Sequence, residues 1–175
     1  MPQNEETVRT YFELIRGLRT GVDGSIEKLT ALWDPDGVFE FAGTPPVTGT
    51  FTGLNAITVL YRNRFAASGM PLRLQGAAKE DESLETALGV VETDVHRVRV
   101  LDDDRVVAGW TTVIGTADRK GFQVSGSHAF TLKDGRITHL RVVVSPKPED
   151  TAGFDREALS VDDIGRLSLA AWAVV

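Results

Sequence analysis

The chain has 175 residues and no cysteine, with 19 basic and 25 acidic side chains and a formal net charge of −6. This length fits one domain with its own hydrophobic core, and the lack of cysteine excludes disulfides and thiolate metal ligands. Because acids and bases are interspersed, no basic stripe exists for a phosphate backbone, and we expect no nucleic-acid partner.

The N-terminal segment gives no sign of export. MPQNEETVRTYFEL lacks a basic start followed by an apolar core, and no stretch approaches 18 uncharged apolar residues. We therefore expect no signal peptide, no membrane contact and a cytoplasmic location.

The first half of the chain has helical spacing. Over residues 5–19, apolar side chains recur every three or four positions after two acidic residues, which predicts a helix with a favourable first turn. These apolar positions are Val8, Tyr11, Phe12, Ile15 and Leu18. Tyr11 therefore lies on the buried stripe of this helix, where packing alone is one interpretation of it.

Two further elements and a turn precede the third helix. Ser25 can cap a short helix that runs to Trp33, and the sequence 34–37 (DPDG) predicts a turn into a short strand over 38–41. After the loop AGTPPVTGTFTG, a third helix carries Ile57, Leu60, Tyr61 and Phe65 on one face and stops before Gly69.

From about residue 84 the hydrophobic period changes to two. Four runs rich in Val, Thr and Ile predict strands at 84–101, 105–116, 121–133 and 136–145. Short turns join them, so we expect antiparallel neighbours. Helices followed by such a sheet indicate an α+β fold in which the helices cover one face of a curved sheet.

The tail, residues 149–175, is predicted to be a helical extension packed on the same domain. Its apolar side consists of Ile164, Leu167, Ala171 and Trp172. Because this stripe must be buried, we expect the helix either to close the mouth of a cavity or to support a dimer.

The order of these segments resembles the nuclear transport factor 2-like superfamily, most closely its SnoaL-like and ketosteroid isomerase-like branches, over about residues 5–145. The segments that carry the resemblance are TVRTYFELI, LTALWDPDGVFEF, GLNAITVLYRNRF, DDDRVVAGWTTVIGTADRKG and GSHAFTLKDGRITHLRVVVS. The resemblance implies that residues 1–148 form a cone, with N-terminal helices on the concave face of a curved antiparallel (mixed) sheet around an apolar cavity. It also implies a homodimer through the outer sheet face. The fold hosts unrelated activities, so it does not by itself give a reaction.

Alignment with the family patterns suggests hydrogen-bond donor roles for two residues and shows apolar residues at positions where the family has catalytic acids. Tyr11 falls where the isomerases keep an oxyanion-hole tyrosine, and His128 falls where they keep a protonated carboxylic acid donor. The aspartate base of that pattern falls at Phe41. The cyclases and epoxide hydrolases of the superfamily place an aspartate in the last strand, two residues after an inward aromatic or histidine, and here these positions are Val142 and Leu140 respectively. The usual catalytic acids are therefore missing.

His128 is the main catalytic candidate. Strand alternation places it on one face with Val124, Gly126, Phe130 and Leu132, and the resemblance directs that face into the cavity. A neutral imidazole there could act as base, acid or hydrogen-bond donor, helped by Tyr11. The alternative is that His128 only bonds to Tyr11 or a backbone carbonyl and fills space.

Further candidates line the predicted cavity. Asp94 and His96 lie two apart in ETDVHRVRV and share a face with Val98 and Val100, although the opposite alternation, with Val95 inward, stays open. Apolar lining is expected from Trp33, Phe41, Tyr61, Phe65, Trp110, Phe130, Leu140, Val142 and Val144. Many of these side chains could equally be ordinary core.

Metal and nucleotide chemistry have no support in the sequence. The run Asp102, Asp103 and Asp104 is typical of a solvated hairpin turn, and His96, His128 and His139 lie on separate strands. Glycine-rich nucleotide motifs are absent from the sequence, so we expect no cofactor.

The sequence thus predicts an enzyme that uses acid/base chemistry without a cofactor on a hydrophobic, oxygen-bearing small molecule. Isomerisation, cyclisation, dehydration and hydrolysis all remain open. The alternative, from another class, is a non-catalytic ligand-binding or dimeric interaction module of the same fold.

Overall fold

A computed structural model of the chain describes residues 3–19, 21–43, 48–68, 89–116, 119–148, 160, 166, 170–172 and 175. The helices are α1 (Gln3–Arg19), α2 (Ser25–Ala31) and α3 (Leu54–Ser68). The strands are β1 (Trp33–Gly43), β2 (Thr48–Thr52), β3 (Gly89–Val100), β4 (Arg105–Thr116), β5 (Arg119–Lys133) and β6 (Arg136–Pro148). Residues 166 and 170–172 are also helical, and none of the described helices is long and apolar enough to cross a membrane.

The described strands form one curved, unclosed sheet in the order β2-β1-β6-β5-β4-β3. Every neighbouring pair is antiparallel except β1 and β6, which are parallel. Asp134 and Gly135 connect β5 to β6 with φ values of 51° and 75°, as a two-residue hairpin turn requires. The predicted α+β class, with N-terminal helices and a mixed sheet, is confirmed.

The region around β1 differs from the sequence prediction. Residues 34–37 belong to β1, which pairs with β6 on both sides of an irregularity between Trp33 and Val38, so the separate turn was wrong. Gly37 allows this, because a Cβ there would lie 2.8 Å from the Trp33 ring. The loop AGTPPVTGTFTG contains β2, which pairs Phe51 with Phe39.

The start of α2 also differs. Gly24 is its N-cap residue, with φ of 74°, and no side-chain cap is formed. The hydroxyl of Ser25 instead donates to the carbonyl of Val22 at 2.7 Å. Glycine adopts this left-handed conformation without the steric cost of a side chain.

The core lies between the helices and the inner face of the sheet. The buried side chains that α1 contributes are Val8, Tyr11, Phe12 and Ile15. They meet alternate residues of the strands, which is the period-two pattern expected of a sheet with one covered face. The inward side chains of β4 to β6 include Val106, Ala108, Trp110, Thr112, Ile114, Val124, His128, Phe130, Leu140, Val142 and Val144.

Candidate functional site

His128 lies inside the core, on the inner face of β5. It is fully buried and pairs across the sheet with Ala108 on β4 and Val142 on β6. Aromatic rings lie around its imidazole. Their centroids lie 5.3 Å away for Phe12, 5.9 Å for Tyr11 and Phe130, and 6.1 Å for Trp110. An imidazole in such surroundings is shielded from water, which makes its hydrogen bonds stronger than they would be at the surface.

Trp110 fixes the protonation state of one imidazole nitrogen. Its indole Nε1–H donates to Nδ1 of His128 at 2.9 Å, and both side chains are buried. An indole nitrogen is only a donor, so Nδ1 must carry a lone pair and no proton. The neutral ring therefore has its proton on Nε2. In this arrangement His128 is a hydrogen-bond donor through Nε2, and Nδ1 is not available as a base.

Gly126 makes room for the indole. It faces Trp110 across the β4–β5 ladder, and a Cβ at this position would lie 2.2 Å from the indole ring and 2.6 Å from the carbonyl oxygen of Val143. The ring therefore lies directly over the backbone of β5. From there its nitrogen reaches His128, two residues along the same strand.

Two tyrosine hydroxyls form a second buried polar pair. The Oη atoms of Tyr11 and Tyr61 lie 2.8 Å apart, and both side chains are fully buried. The ring of Tyr11 also contacts the rings of Phe130 and His128. Since α1 contributes Tyr11 and α3 contributes Tyr61, this bond joins two helices on the inner face beside His128.

The apolar lining residues predicted from the sequence lie in the core. Trp33, Phe41 and the three predicted β6 side chains (140, 142 and 144) are buried. The side chain of Phe65 lies outside the described residues, although its backbone belongs to α3.

Asp94 and His96 lie on the outer face, so their predicted inward orientation was wrong. Asp94 pairs with Thr111 and His96 with Gly109, and Nε2 of His96 lies 3.2 Å from the Thr111 hydroxyl. Arg97 has a φ of 57°, and the β3–β4 register shifts there. This bulge reverses the alternation within β3, because an extra residue flips every side chain beyond it to the other face.

Trp172 covers one end of the inner face. Its ring centroid lies 5.5 Å from that of Phe39 and 5.1 Å from that of Phe41, and its side chain is buried. Ala171 and Val175 are buried with it. Two residues of the predicted tail stripe, Ile164 and Leu167, lie outside the described residues.

The acidic turn between β3 and β4 is an ordinary hairpin. Asp102 accepts hydrogen bonds from the Arg105 guanidinium, at 2.7 Å from Nε, and from the backbone N–H of Asp104. The Arg105 hydrogen bond lowers the pKa of Asp102, and Asp102 raises the pKa of Arg105. Among the described residues, no three His, Asp or Glu side chains come together as metal ligands.

A surface depression of about 340 Å³ lies beside this turn, away from His128. Its lining residues are Gln3, Asn4, Val100, Asp102, Asp103, Asp134 and Gly135. Two of its polar groups are paired within the protein, since Asp102 forms an ion pair with Arg105 and the Asn4 side chain donates to the Asp103 carbonyl.

Comparison with solved structures places this arrangement among known folds. Bal32a from a soil-derived mobile gene cassette aligns with a TM-score of 0.54 and 20% identity, over 81% of this chain and 88% of Bal32a. A nuclear transport factor 2-like protein of unknown function from Mesorhizobium loti aligns with a TM-score of 0.52 and 19% identity, over 82% and 91%. The chain has the nuclear transport factor 2-like fold.

Another similar solved structure carries a suggested activity in its description. A "putative ketosteroid isomerase" from Kribbella flavida aligns with a TM-score of 0.52 and 16% identity, over 86% of this chain and 84% of its own. At the level of sequence, no protein-family model and no curated protein matches this chain.

Sequence reasoning missed the partners of His128 on this nuclear transport factor 2-like scaffold. The signal for Gly126 was present, because a glycine inside a strand often marks a close approach of another group. The bond from Trp110 depends on which residues of β4 and β5 face each other, and this register is not visible in either strand alone.

Proposed function

We propose that this protein binds a hydrophobic, oxygen-bearing small molecule on the inner face of the sheet and polarises its oxygen through His128. The reaction class is that of a cofactor-free isomerase, cyclase, dehydratase or hydrolase. Tyr11 and Tyr61 supply a second donor beside the imidazole. Resemblance in fold to the Kribbella flavida protein supports this class and leaves the reaction open.

The observation that carries the proposal is the bond from Trp110 to Nδ1 of His128. It places an uncharged N–H donor in an apolar interior, where a hydrogen bond to a ketone or ether oxygen is stronger than in water. A ligand that develops negative charge on its oxygen in the transition state is stabilised most by such a donor. The Tyr11–Tyr61 hydroxyl pair adds a donor of the same kind.

His128→Asn separates donation from packing. The Oδ1 of asparagine takes the place of Nδ1 and can accept from Trp110, but nothing replaces Nε2–H. We expect the preference for 4-acetylbiphenyl over 4-ethylbiphenyl to fall about tenfold, the value of one hydrogen bond of roughly 1.4 kcal/mol. Calorimetric titration of both probes measures this ratio.

The control for this variant is Thr111→Val, which changes a polar side chain on the outer face. It should leave the ratio unchanged. Equal affinity of the wild-type protein for the two biphenyls would count against the proposal. Turnover is measured separately, by incorporation of deuterium into the acetyl methyl group of 4-acetylbiphenyl in D₂O. Exchange that is faster than in buffer and slower in His128→Asn supports an enzyme.

The second candidate is a non-catalytic binding module of the same fold. It is favoured by the buried apolar side chains of Phe41 and Val142, which occupy the two positions where the resemblance implies an acid. Such a module prefers 4-acetylbiphenyl over 4-ethylbiphenyl to the same extent but does not accelerate deuterium exchange.

We also propose a homodimer through the outer face of the sheet. Val143 is 37% exposed, and its outward neighbours on β5 are small, half-buried residues. The charges beside it are paired, since Glu40 lies 3.4 Å from both His139 and Arg141. A surface of small side chains beside an exposed valine and paired charges suits a self-complementary interface.

Val143→Lys should dissociate this dimer, because burying an unpaired ammonium at the interface is costly. Sedimentation equilibrium should give twice the 19.0 kDa chain mass for the wild type and a single chain for the variant. Val22→Lys, which changes a valine that is 54% exposed between α1 and α2, is the control and should remain dimeric. A wild type that stays monomeric at high micromolar concentration would refute the dimer.

A further inference from the structure

Two threonine hydroxyls face each other on the inner face, beyond Trp110. Thr93 on β3 pairs directly with Thr112 on β4, two residues along from the pair formed by Val95 and Trp110. Thr112 is fully buried, and Val124 on β5 closes its other side. Directly opposed residues have Cβ atoms about 5 Å apart, so one small group can reach both hydroxyls.

Neither hydroxyl has a hydrogen-bond partner in the part of the chain that the structure describes, although both oxygen atoms are inaccessible to solvent. They do not bond to each other, as opposed threonines in a sheet often do. A buried hydroxyl without a hydrogen-bond partner destabilises the folded protein, so two such hydroxyls side by side require a specific explanation.

We propose that Thr93 and Thr112 form a second polar anchor, which binds a hydroxyl or carbonyl oxygen at the far end of the ligand. The inference rests on the proposed function, in which His128 binds the first oxygen. Both hydroxyls can donate to one neutral oxygen. A carboxylate does not suit the place, because no basic side chain is found with the threonines among the described inward residues.

The two anchors define the length of the ligand. His128 pairs with Ala108, and Thr112 follows four residues later on β4. At the rise of an extended strand this is about 13 Å between backbones. The indole ring of Trp110, which lies over Gly126, provides the apolar surface between the two anchors. The substrate class is therefore an elongated apolar framework with an oxygen at each end.

The test compares 4-acetyl-4'-hydroxybiphenyl with 4-acetylbiphenyl, which differ only in the distal hydroxyl. The wild type should bind the hydroxylated probe about tenfold more tightly. Thr112→Val and Thr93→Val should each remove most of this preference. Thr112→Val should also keep or raise the denaturation midpoint, because it replaces an unpaired hydroxyl with an isosteric methyl group.

Thr111→Val, the adjacent threonine with its hydroxyl on the outer face, is the matched control and should keep the full preference. An unchanged preference in Thr112→Val, while His128→Asn weakens both probes, would overturn the anchor and leave the proposed function standing. A water molecule held between the two hydroxyls, with no preference for the distal hydroxyl, would overturn it too. If neither probe binds the wild type, both inferences fail together.

Discussion

Gly126→Ala should lower the free energy of unfolding by about 3 kcal/mol, at the upper end of overpacking effects in a closed core. The new methyl group would overlap the indole of Trp110 and the carbonyl oxygen of Val143. The carbonyl belongs to the β5–β6 ladder and cannot move alone, so the indole must leave its place. Urea denaturation followed by circular dichroism measures the loss.

The displaced indole should also release Nδ1 of His128. ¹⁵N NMR of the imidazole should show one protonated nitrogen, Nε2, in the wild type and a mixture of tautomers in Gly126→Ala. Gly109→Ala is the matched control, because Gly109 is also a strand glycine but its Cβ would lie 3.1 Å from the movable imidazole of His96 and at an ordinary contact distance, 3.6 Å, from the His96 carbonyl oxygen. A Gly126→Ala protein as stable as Gly109→Ala, with Nδ1 still bonded, would disprove this account.

Trp172→Ala should lower the free energy of unfolding by about 3 kcal/mol, as expected for truncating a buried aromatic side chain. It should also speed ligand entry, since Trp172 lies on Phe39 and Phe41 at the end of the inner face. We expect the association rate of 4-acetylbiphenyl to rise on the order of tenfold, the factor expected when the open state is populated about 10% of the time. Stopped-flow fluorescence of the two remaining tryptophans follows binding.

Trp172→Phe is the control, because it keeps an aromatic ring over Phe41 and should bind at nearly the wild-type rate. Truncation after Glu149 removes the whole tail and should show the same acceleration with the dimer intact. If truncation yields monomers whose ligand kinetics are unchanged, the tail supports the dimer and does not cover the site.

The sheet was predictable to the extent that its strands alternate regularly. Residues 105–116 form β4 as predicted, because an acidic turn precedes an uninterrupted pattern of inward and outward side chains. β2 was missed, since five residues with a glycine carry too little pattern to distinguish a strand from a loop. The residues 34–37 resemble a turn locally, and they belong to β1 only because the strand pairs with β6 on both sides of them, at Trp33 and from Val38 onward.

The sequence predicted which way the site residues face within a single strand or helix, but not the contacts between strands. Alternation within β5 places His128 inward, and α1 periodicity places Tyr11 inward. The bond from Trp110 and the facing threonines depend on register between strands, which single-strand patterns do not contain. Asp94 and His96 were misassigned because one residue with positive φ, Arg97, reverses the pattern in the middle of β3.

The parallel pairing of β1 with β6 sets an order in which the sheet can assemble. Phe41 pairs with Val142, 101 residues later, whereas β3 to β6 are joined by short hairpins. Local hairpins close sooner than distant pairs, so β3 to β6 should form first and present the edge of β6. During synthesis β1 leaves the ribosome long before that edge exists. Until β6 is made, Phe39 and Phe41 can pair only with the short strand β2. The nascent chain is therefore most prone to misassociation in that interval.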